Sequence, residues 1–262
     1  MTDDILSILK RNITFNIIPS SNSRTAWNLI NNNSWEEYTF NILDKFLDEH
    51  HSYLDIGAWV GPTVLYGANL AKHVYAIEPD PIAFQELKKN LDLNPSISSK
   101  ITLVHAALSS QTGTINLYKG NEYGDSTSSL IPGNSVHSCI VNCMTIDELI
   151  TTYNIKHFNF IKIDIEGSEY SLIPSMQKFL EIEKPTLYLS IHPPFLRKTL
   201  NRKYTCQQEL ELECEYNKIN KRLVESLYMY KYIYDKNGNL TNEEKLLNET
   251  NFQEFLFTNE KF

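Results

Sequence analysis

Apolar and polar positions along the chain change period several times, and each change marks an element. Five short apolar runs read as strands: Tyr53 to Asp55, Val74 to Ile77, Ile101 to Val104, Phe160 to Ile163 and Thr186 to Ile191. Between them the apolar spacing widens to three and four, the period of a helix. Ser34 is placed to cap a helix to about Asp48, on a stripe of Trp35, Tyr38, Ile42, Phe46 and Leu47. Another opens at Pro62, and Asp80 and Pro81 cap a third through Ile82, Phe84, Leu87 and Leu91. Thr145-Ile-Asp-Glu148 is a capping box for a helix to about Tyr153, and Tyr170, Leu172, Ile173, Met176 and Phe179 stripe the next, to about Leu180. Strands alternating with helices predict an α/β fold built on a mostly parallel sheet flanked by helices.

The two ends and one internal stretch depart from that rhythm. Met1 to Arg24 carries a short helical pattern (Ile5, Leu6, Ile8, Leu9) and reads as a frayed terminus, so residues 1–34 are expected to be an N-terminal extension to one domain, 35–262. Residues 113–143 form an insertion with extra strands at Thr114 to Tyr118 and Ser138 to Cys143. The hydroxyl-rich loop Tyr123 to Leu130 between them is expected to line an acceptor pocket. After a long charged helix, Cys206 to Leu227, come strands at Tyr228 to Tyr234 and Phe252 to Thr258, one of them antiparallel, which complete a seven-stranded sheet.

Composition narrows the partners. A chain of 262 residues with 42% apolar content can bury one sizeable core. Net charge is −8, which argues against a phosphate backbone as partner and favours a small acceptor. Cys139, Cys143, Cys206 and Cys214 show neither a CxxC pair nor zinc spacing and suit free thiols in a reducing, cytoplasmic compartment. No apolar run reaches 18 residues, so no membrane span is expected. Composition sets no oligomeric state.

Candidate chemistry begins where the first strand ends. Asp55 leads into Gly57 and Gly61, Pro62 opens a helix, and the second strand ends in Glu78, an acid placed to hold two ribose hydroxyls. A dinucleotide fold needs Gly-x-Gly-x-x-Gly so that a diphosphate can approach the helix. Here the spacing is Asp-x-Gly-x-x-x-Gly, and Asp55 would repel a diphosphate but suits an ammonium group. A ligand with adenosine at one end and a zwitterionic amino acid at the other fits, and S-adenosylmethionine is that ligand. Glu36 reads either as a first-turn acid favoured by the helix dipole or as a second partner for the ammonium. Ala106 and Ala107 follow the third strand and leave room for a flat adenine.

Asp164 and His192 end the fourth and fifth strands, on the edge where open α/β sheets bind ligands. His192 has the intrinsic pKa of a general base, and Asp164 would orient it or accept a hydrogen bond from the acceptor. Alternatively Asp164, Glu166 and His192 would hold a divalent cation, Mg²⁺ or Mn²⁺, that acidifies a bound hydroxyl.

Six segments carry a resemblance: Asp55-Ile-Gly57-Ala58-x-x-Gly61, Ala76-Ile-Glu78-Pro79, Asn90-Leu-x-Leu-Asn94, Ala106-Ala107-Leu108-Ser109, Met144-Thr-Ile-Asp147-Glu-Leu149 and Ile161-Lys-Ile-Asp164-Ile-Glu166-Gly167-x-Glu169. Across roughly residues 35–195 the chain resembles the FkbM-type S-adenosylmethionine-dependent methyltransferases. The resemblance implies the class I methyltransferase architecture, a Rossmann-like fold, and O-methylation of a sugar or other natural-product hydroxyl. It implies cofactor roles for Asp55, Gly57, Ala58, Gly61, Glu78 and Pro79 and supports Glu36. Two positions depart: Trp59 stands where the family usually has Asn, and Ser190-Ile-His192 replaces Glu-x-His.

The expected function is therefore methylation of a hydroxyl on a sugar, as a nucleotide sugar or glycan precursor. Methylation of a small amine is the alternative, because His192-Pro-Pro-Phe195 resembles the (Asp/Asn)-Pro-Pro-(Tyr/Phe) motif of N-methyltransferases. That motif normally follows the fourth strand and here follows the fifth. Nucleic-acid methylation is disfavoured by charge and by the lack of a basic, aromatic-interleaved stretch. A cofactor-binding module without turnover is a further alternative, against which intact Asp55, Gly57, Glu78, Asp164 and His192 argue.

Overall fold

A computed structural model describes residues 4–132 and 137–262. The chain opens with a hairpin, β1 (Leu6–Lys10) and β2 (Ile13–Ile17), followed by α1 (Arg24–Asn31) and α2 (Glu37–Phe46). The alternating core begins with β3 (Ser52–Ile56), α3 (Pro62–Leu70), β4 (His73–Ile77), α4 (Pro81–Asp92), the single turn α5 (Pro95–Ser98) and β5 (Ile101–Val104). An excursion follows through β6 (Ala107–Leu108), β7 (Gly113–Tyr118), β8 (Ser138–Met144) and α6 (Ile146–Thr152). The core resumes with β9 (Phe160–Ile163), α7 (Glu169–Glu183), β10 (Thr186–Ile191), α8 (Pro193–Lys203) and α9 (Glu209–Glu225). It closes with β11 (Tyr232–Asp235), β12 (Leu240–Thr241), α10 (Glu243–Leu247) and β13 (Gln253–Thr258).

The main sheet runs β12-β11-β13-β10-β9-β3-β4-β5, with the pairs from β10 to β5 parallel and those from β10 to β12 antiparallel. From β3 the chain moves outward through β4 and β5, then returns to lay β9 on the other side of β3. That reversal puts a crevice over the carboxyl ends of β3 and β9, where doubly wound sheets take ligands. The sheet has eight strands, not the expected seven. The addition is β12, a two-residue edge strand paired with β11 across the Asp235–Asn239 turn, too short to carry a period of its own.

Side chains alternate across each strand, so the sheet separates two apolar layers. Leu54, Ile161 and Leu189 face α6, α7 and α9, whereas Tyr53, Phe160, Tyr188 and Leu256 face the hairpin and α1 to α3. Fully burying one such side chain stabilises the fold by about 1.5–3 kcal/mol. The second layer turns polar towards the carboxyl ends. Asp55 lies beside Lys162 and Lys162 beside Tyr188 in register, with Ser190 opposite Glu254 one step on. Burying charged groups costs several kcal/mol each even after relaxation, so this band opposes stability where an apolar row would favour it.

Three local expectations change. Leu6 to Ile17 form a hairpin instead of a frayed helix, because Ile8, Phe15 and Ile17 are buried at strand period while the backbone of Asn16 and Ile18 bonds Asn94 and Asn90. Ser34 does not cap α2. Glu36 occupies that position in the left-handed region (φ 43°), with Thr39 donating to its carboxylate. Ile82, expected inward or partly so, is exposed on α4.

The insertion folds as a separate three-stranded sheet, β6-β8-β7, close to the predicted strands. Asp80 anchors its loop: one carboxylate oxygen caps α4 at Ile82 and Ala83, while the other accepts from Gly124 N and Ser128 Oγ at 2.9 and 2.8 Å. Among the described residues Cys139, Cys143 and Cys214 are free thiols, and no helix is long and apolar enough to cross a membrane.

Candidate active site

The β3–α3 turn is shaped by its glycines. Gly57 has φ +85°, and a Cβ there would lie 1.9 Å from the Asp164 carbonyl oxygen, so the turn sits directly on the exit of β9. The N–H groups of Gly57 and Ala58 both donate to the Ile77 carbonyl at 3.0 Å, which locks the turn to β4. Gly61 (φ +96°) faces Leu87 on α4, so it packs a helix and does not line the crevice. Between them Trp59 takes a left-handed conformation (φ 48°) and donates its indole N–H to the Gly124 carbonyl at 3.0 Å. A turn residue thereby clasps the insertion loop.

Two connected cavities occupy the crevice. The first is walled by Gly57, Glu78, Pro79, Ala107 and Asp164, and roofed by Ser126, Ser128 and Leu130 of the insertion loop. The loop thus covers this cavity, while Ser126 alone of these three also reaches the second. Glu78 accepts from Trp59 N and Asp80 N, each at 2.7 Å, and burial pushes its carboxyl up to about 8. Ala107 lines the slot; Ala106, its neighbour, turns the other way into the apolar core.

The second cavity, about 360 Å³, is lined by Trp35, Glu36, Ala58, Lys162, His192 and Phe252 among others. Gly57, Trp59, Ser126, Asp164 and Glu166 border both spaces. Burial, reinforced by Glu254, lifts the Glu36 carboxyl to about 8. Asp55 borders neither space. It accepts from Tyr53 and Thr63 hydroxyls at 2.7 and 2.6 Å, burial raises its pKa, and its second oxygen is buried without a partner. That oxygen keeps the capacity for one more donor, although neither cavity opens on it.

Asp164 and His192 do converge. Burial works against the charge of Asp164, but Lys162 at 3.2 Å and His192 outweigh it and hold the carboxyl below its ordinary value. Burial likewise works against an imidazolium at His192, yet Glu169, with Glu166 and Asp164 behind it, lifts that pKa to about 10. The Nδ1 atom lies 2.9 Å from Glu169 Oε1, and Nε2 lies 3.4 Å from Glu166 and 3.6 Å from Asp164. Atoms of Asp164, Glu166 and His192 fall within 4.8 Å of one another, a spacing that a cation could bridge.

Sequence reasoning missed Glu169, Lys162 and Phe252 as site residues. Glu169 entered only as the last position of the segment Asp164-Ile-Glu166-Gly167-x-Glu169, with no role of its own, although its carboxylate accepts from both Ile165 N and His192. The clue was the spacing Asp164, Glu166, Glu169, which returns three acids to one strand exit. Lys162 carried a weaker clue: a lysine inside an otherwise apolar strand.

The methyltransferase FkbM domain pattern matches residues 55–220, more than half of the chain. A hexuronic acid methyltransferase, AglP of Haloferax volcanii, is 24% identical over 195 residues, 71% of this chain and 73% of that protein. A solved FkbM methyltransferase from Methylobacillus flagellatus superposes with a TM-score of 0.47 at 17% identity; 91% of this chain spans 55% of that one. An rRNA methylase from Streptococcus thermophilus gives 0.42 at 12% identity, over 86% of this chain and 94% of the other. The strand order, the glycine turn against β9 and the terminal acid of β4 agree with the domain match, and the chain belongs to the FkbM methyltransferase family.

Proposed function

We propose that the chain transfers the methyl group of S-adenosylmethionine to a hydroxyl of a sugar, as a nucleotide sugar or glycan precursor, in the cytoplasm. One observation carries this reading: a slot ending in Glu78 and a cavity ending in His192 share the wall Gly57, Trp59, Asp164 and Glu166. A cofactor lying along both would place its ribose diol at Glu78, its adenine by Pro79 and Ala107, and its ammonium towards Glu36, with the buried Asp55 behind the cavity wall. The sulfonium then falls near the shared wall. AglP is a sugar-acid methyltransferase, which supports a carbohydrate acceptor.

Methyl transfer is an in-line displacement, and holding both reactants in line supplies on the order of 7–11 kcal/mol in the best intramolecular cases. The hydroxyl proton must also leave. With a pKa near 10, His192 is an imidazolium at neutral pH and cannot take it. We assign the proton to Glu166, which borders both cavities and whose carboxyl burial lifts to about 8, so that its ionised form is a base for a mildly alkaline pH, and give His192 the task of holding Glu166 and Asp164 in place. A base matched in pKa to the working pH contributes about 10²–10⁴ in rate.

A second reading rests on the 4.8 Å grouping of Asp164, Glu166 and His192: Mg²⁺ or Mn²⁺ there would displace the His192 proton and acidify the hydroxyl itself. Turnover that survives exhaustive chelation excludes the ion; loss restored by added Mg²⁺ or Mn²⁺ establishes it. The primary test is calorimetry with S-adenosylhomocysteine, then methyl transfer to sugar nucleotides, amines and RNA. Absence of binding, or methylation of amines or RNA alone, overturns the proposal.

A further inference from the structure

The second cavity opens beside an aromatic pair, and one of the two rings leads onto a basic helix. Phe195 and Phe252 flank His192, their ring centroids 5.8 and 5.0 Å from the imidazole, and Phe252 is 45% exposed at the mouth. Phe195 belongs to the first turn of α8, whose sequence Pro-Pro-Phe-Leu-Arg-Lys-Thr-Leu-Asn-Arg-Lys holds four cations and no acid. In a chain of net charge −8 that is a local reversal of sign, and methyl transfer itself does not require it.

The faces of α8 differ in what they meet. Leu196 and Leu200 are buried, and Arg197 turns towards α9, where Glu213 pairs with it and the Tyr216 ring centroid lies 3.9 Å from its guanidinium carbon. Positions 195, 198, 199 and 202 follow the spacing i, i+3, i+4, i+7 and share another face. Phe195 at its head lines the cavity, and Thr199 donates to the Pro132 carbonyl of the insertion at 3.4 Å, so this face looks towards the site. Lys198 Nζ lies 5.5 Å from the Phe195 ring centroid, next to the mouth. Arg202 follows one turn out, at a helical spacing that sets its Cβ about 5–6 Å from that of Lys198. Both side chains are exposed, and among the described residues no carboxylate pairs with either.

Two neighbouring, unpaired cations at the exit of a sugar cavity suit an anion attached to the sugar. Arginine grips phosphate oxygens through its planar fork and lysine adds a point charge, a combination that fits a diphosphate better than a single carboxylate. We propose that the acceptor sugar carries a diphosphate, which lies along α8 on Lys198 and Arg202 while the ring sits by Phe195 and Phe252. The inference rests on the methyltransferase reading above and narrows its acceptor to an activated sugar, linked to a nucleoside or to a lipid alcohol. Charges at the rim act on acceptor affinity and its salt dependence and leave the chemical step untouched.

Calorimetry on the protein saturated with S-adenosylhomocysteine tests the proposal, because the donor site is then closed to nucleotides. Chelator in the buffer keeps a cation from bridging the probe to Asp164 and Glu166. UDP, GDP and dTDP probe the nucleoside-linked source, and farnesyl diphosphate the lipid-linked one. At least one of these should bind, and Lys198→Ala/Arg202→Ala, at exposed positions, should weaken that binding ~10-fold or more while S-adenosylhomocysteine affinity changes less than about twofold. Lys218→Ala/Lys221→Ala, which removes the same charge from exposed positions of α9, should change it less than about twofold. No binding by any probe, binding that survives the α8 double variant, or an equal loss in the α9 variant overturns the proposal. Failure of the wild-type protein to bind S-adenosylhomocysteine sinks the methyltransferase reading instead, which keeps the two outcomes apart.

Discussion

Glu78 shows how far one position can be read from sequence alone. Its place at the end of β4 was legible from an apolar run closed by an acid, but its partners were not. Its two oxygens each accept a backbone N–H, one from Trp59 in a left-handed turn that no periodicity announces and one from Asp80 two residues on. Burial keeps the Glu78 carboxyl largely protonated at neutral pH, and hydrogen bonds between neutral groups contribute about 0.5–1.5 kcal/mol each, so two ribose hydroxyls account for about 1–3 kcal/mol. Glu78→Ala should therefore weaken S-adenosylhomocysteine binding by ten- to a hundredfold in calorimetry, and unchanged affinity would remove the ribose assignment. Glu166→Gln keeps size and hydrogen bonding but cannot take a proton. Turnover should fall about a hundredfold or more while cofactor affinity stays within a few-fold, measured by single-turnover kinetics and calorimetry. His192 was found for its position, but its proposed role changed, because Glu169, three residues beyond Glu166, holds its proton.

Elements were legible where period and caps agreed. The five parallel strands, the Asp80 cap and the Thr145 start all lie where apolar runs and capping residues placed them. The hairpin of β1 and β2 was misread because five-residue strands give too few repeats to separate a period of two from one of three and four. Its stability comes from contacts 70 to 80 residues away, at Asn90 and Asn94. The β3–α3 turn makes the strictest demand. At Gly57 an alanine would face both a positive φ and a backbone oxygen at 1.9 Å. Backbone cannot yield as a side chain can, so Gly57→Ala should cost about 3 kcal/mol or more and abolish cofactor binding. Urea unfolding and calorimetry check both; a stable variant that still binds cofactor would mean the turn sits elsewhere.

At the scale of the whole molecule, the polar band on one face of the sheet sets a pH dependence. Burial raises Glu36 and Glu78 to about 8 from an ordinary 4.5, so the folded state holds their protons more tightly than the unfolded chain. Their contribution to stability is therefore fully present below about pH 4.5 and is lost as pH rises through about 8. The ligand-free protein should melt at a progressively lower temperature from pH 5.5 to 8.5 in scanning calorimetry. Glu78→Gln, which cannot ionise, should flatten that slope, and a slope equal to wild type would show that Glu78 does not titrate there.

The clasp between Trp59 and Gly124 ties the turn under the donor to the loop above it, and Asp80 fastens the same loop from the other side. Floor and ceiling of that chamber share one set of rivets. Changes that reshape the ceiling for a new substrate will therefore register in donor affinity as well, and compensating replacements should be sought at Trp59 or Asp80 before any position at the far, aromatic mouth.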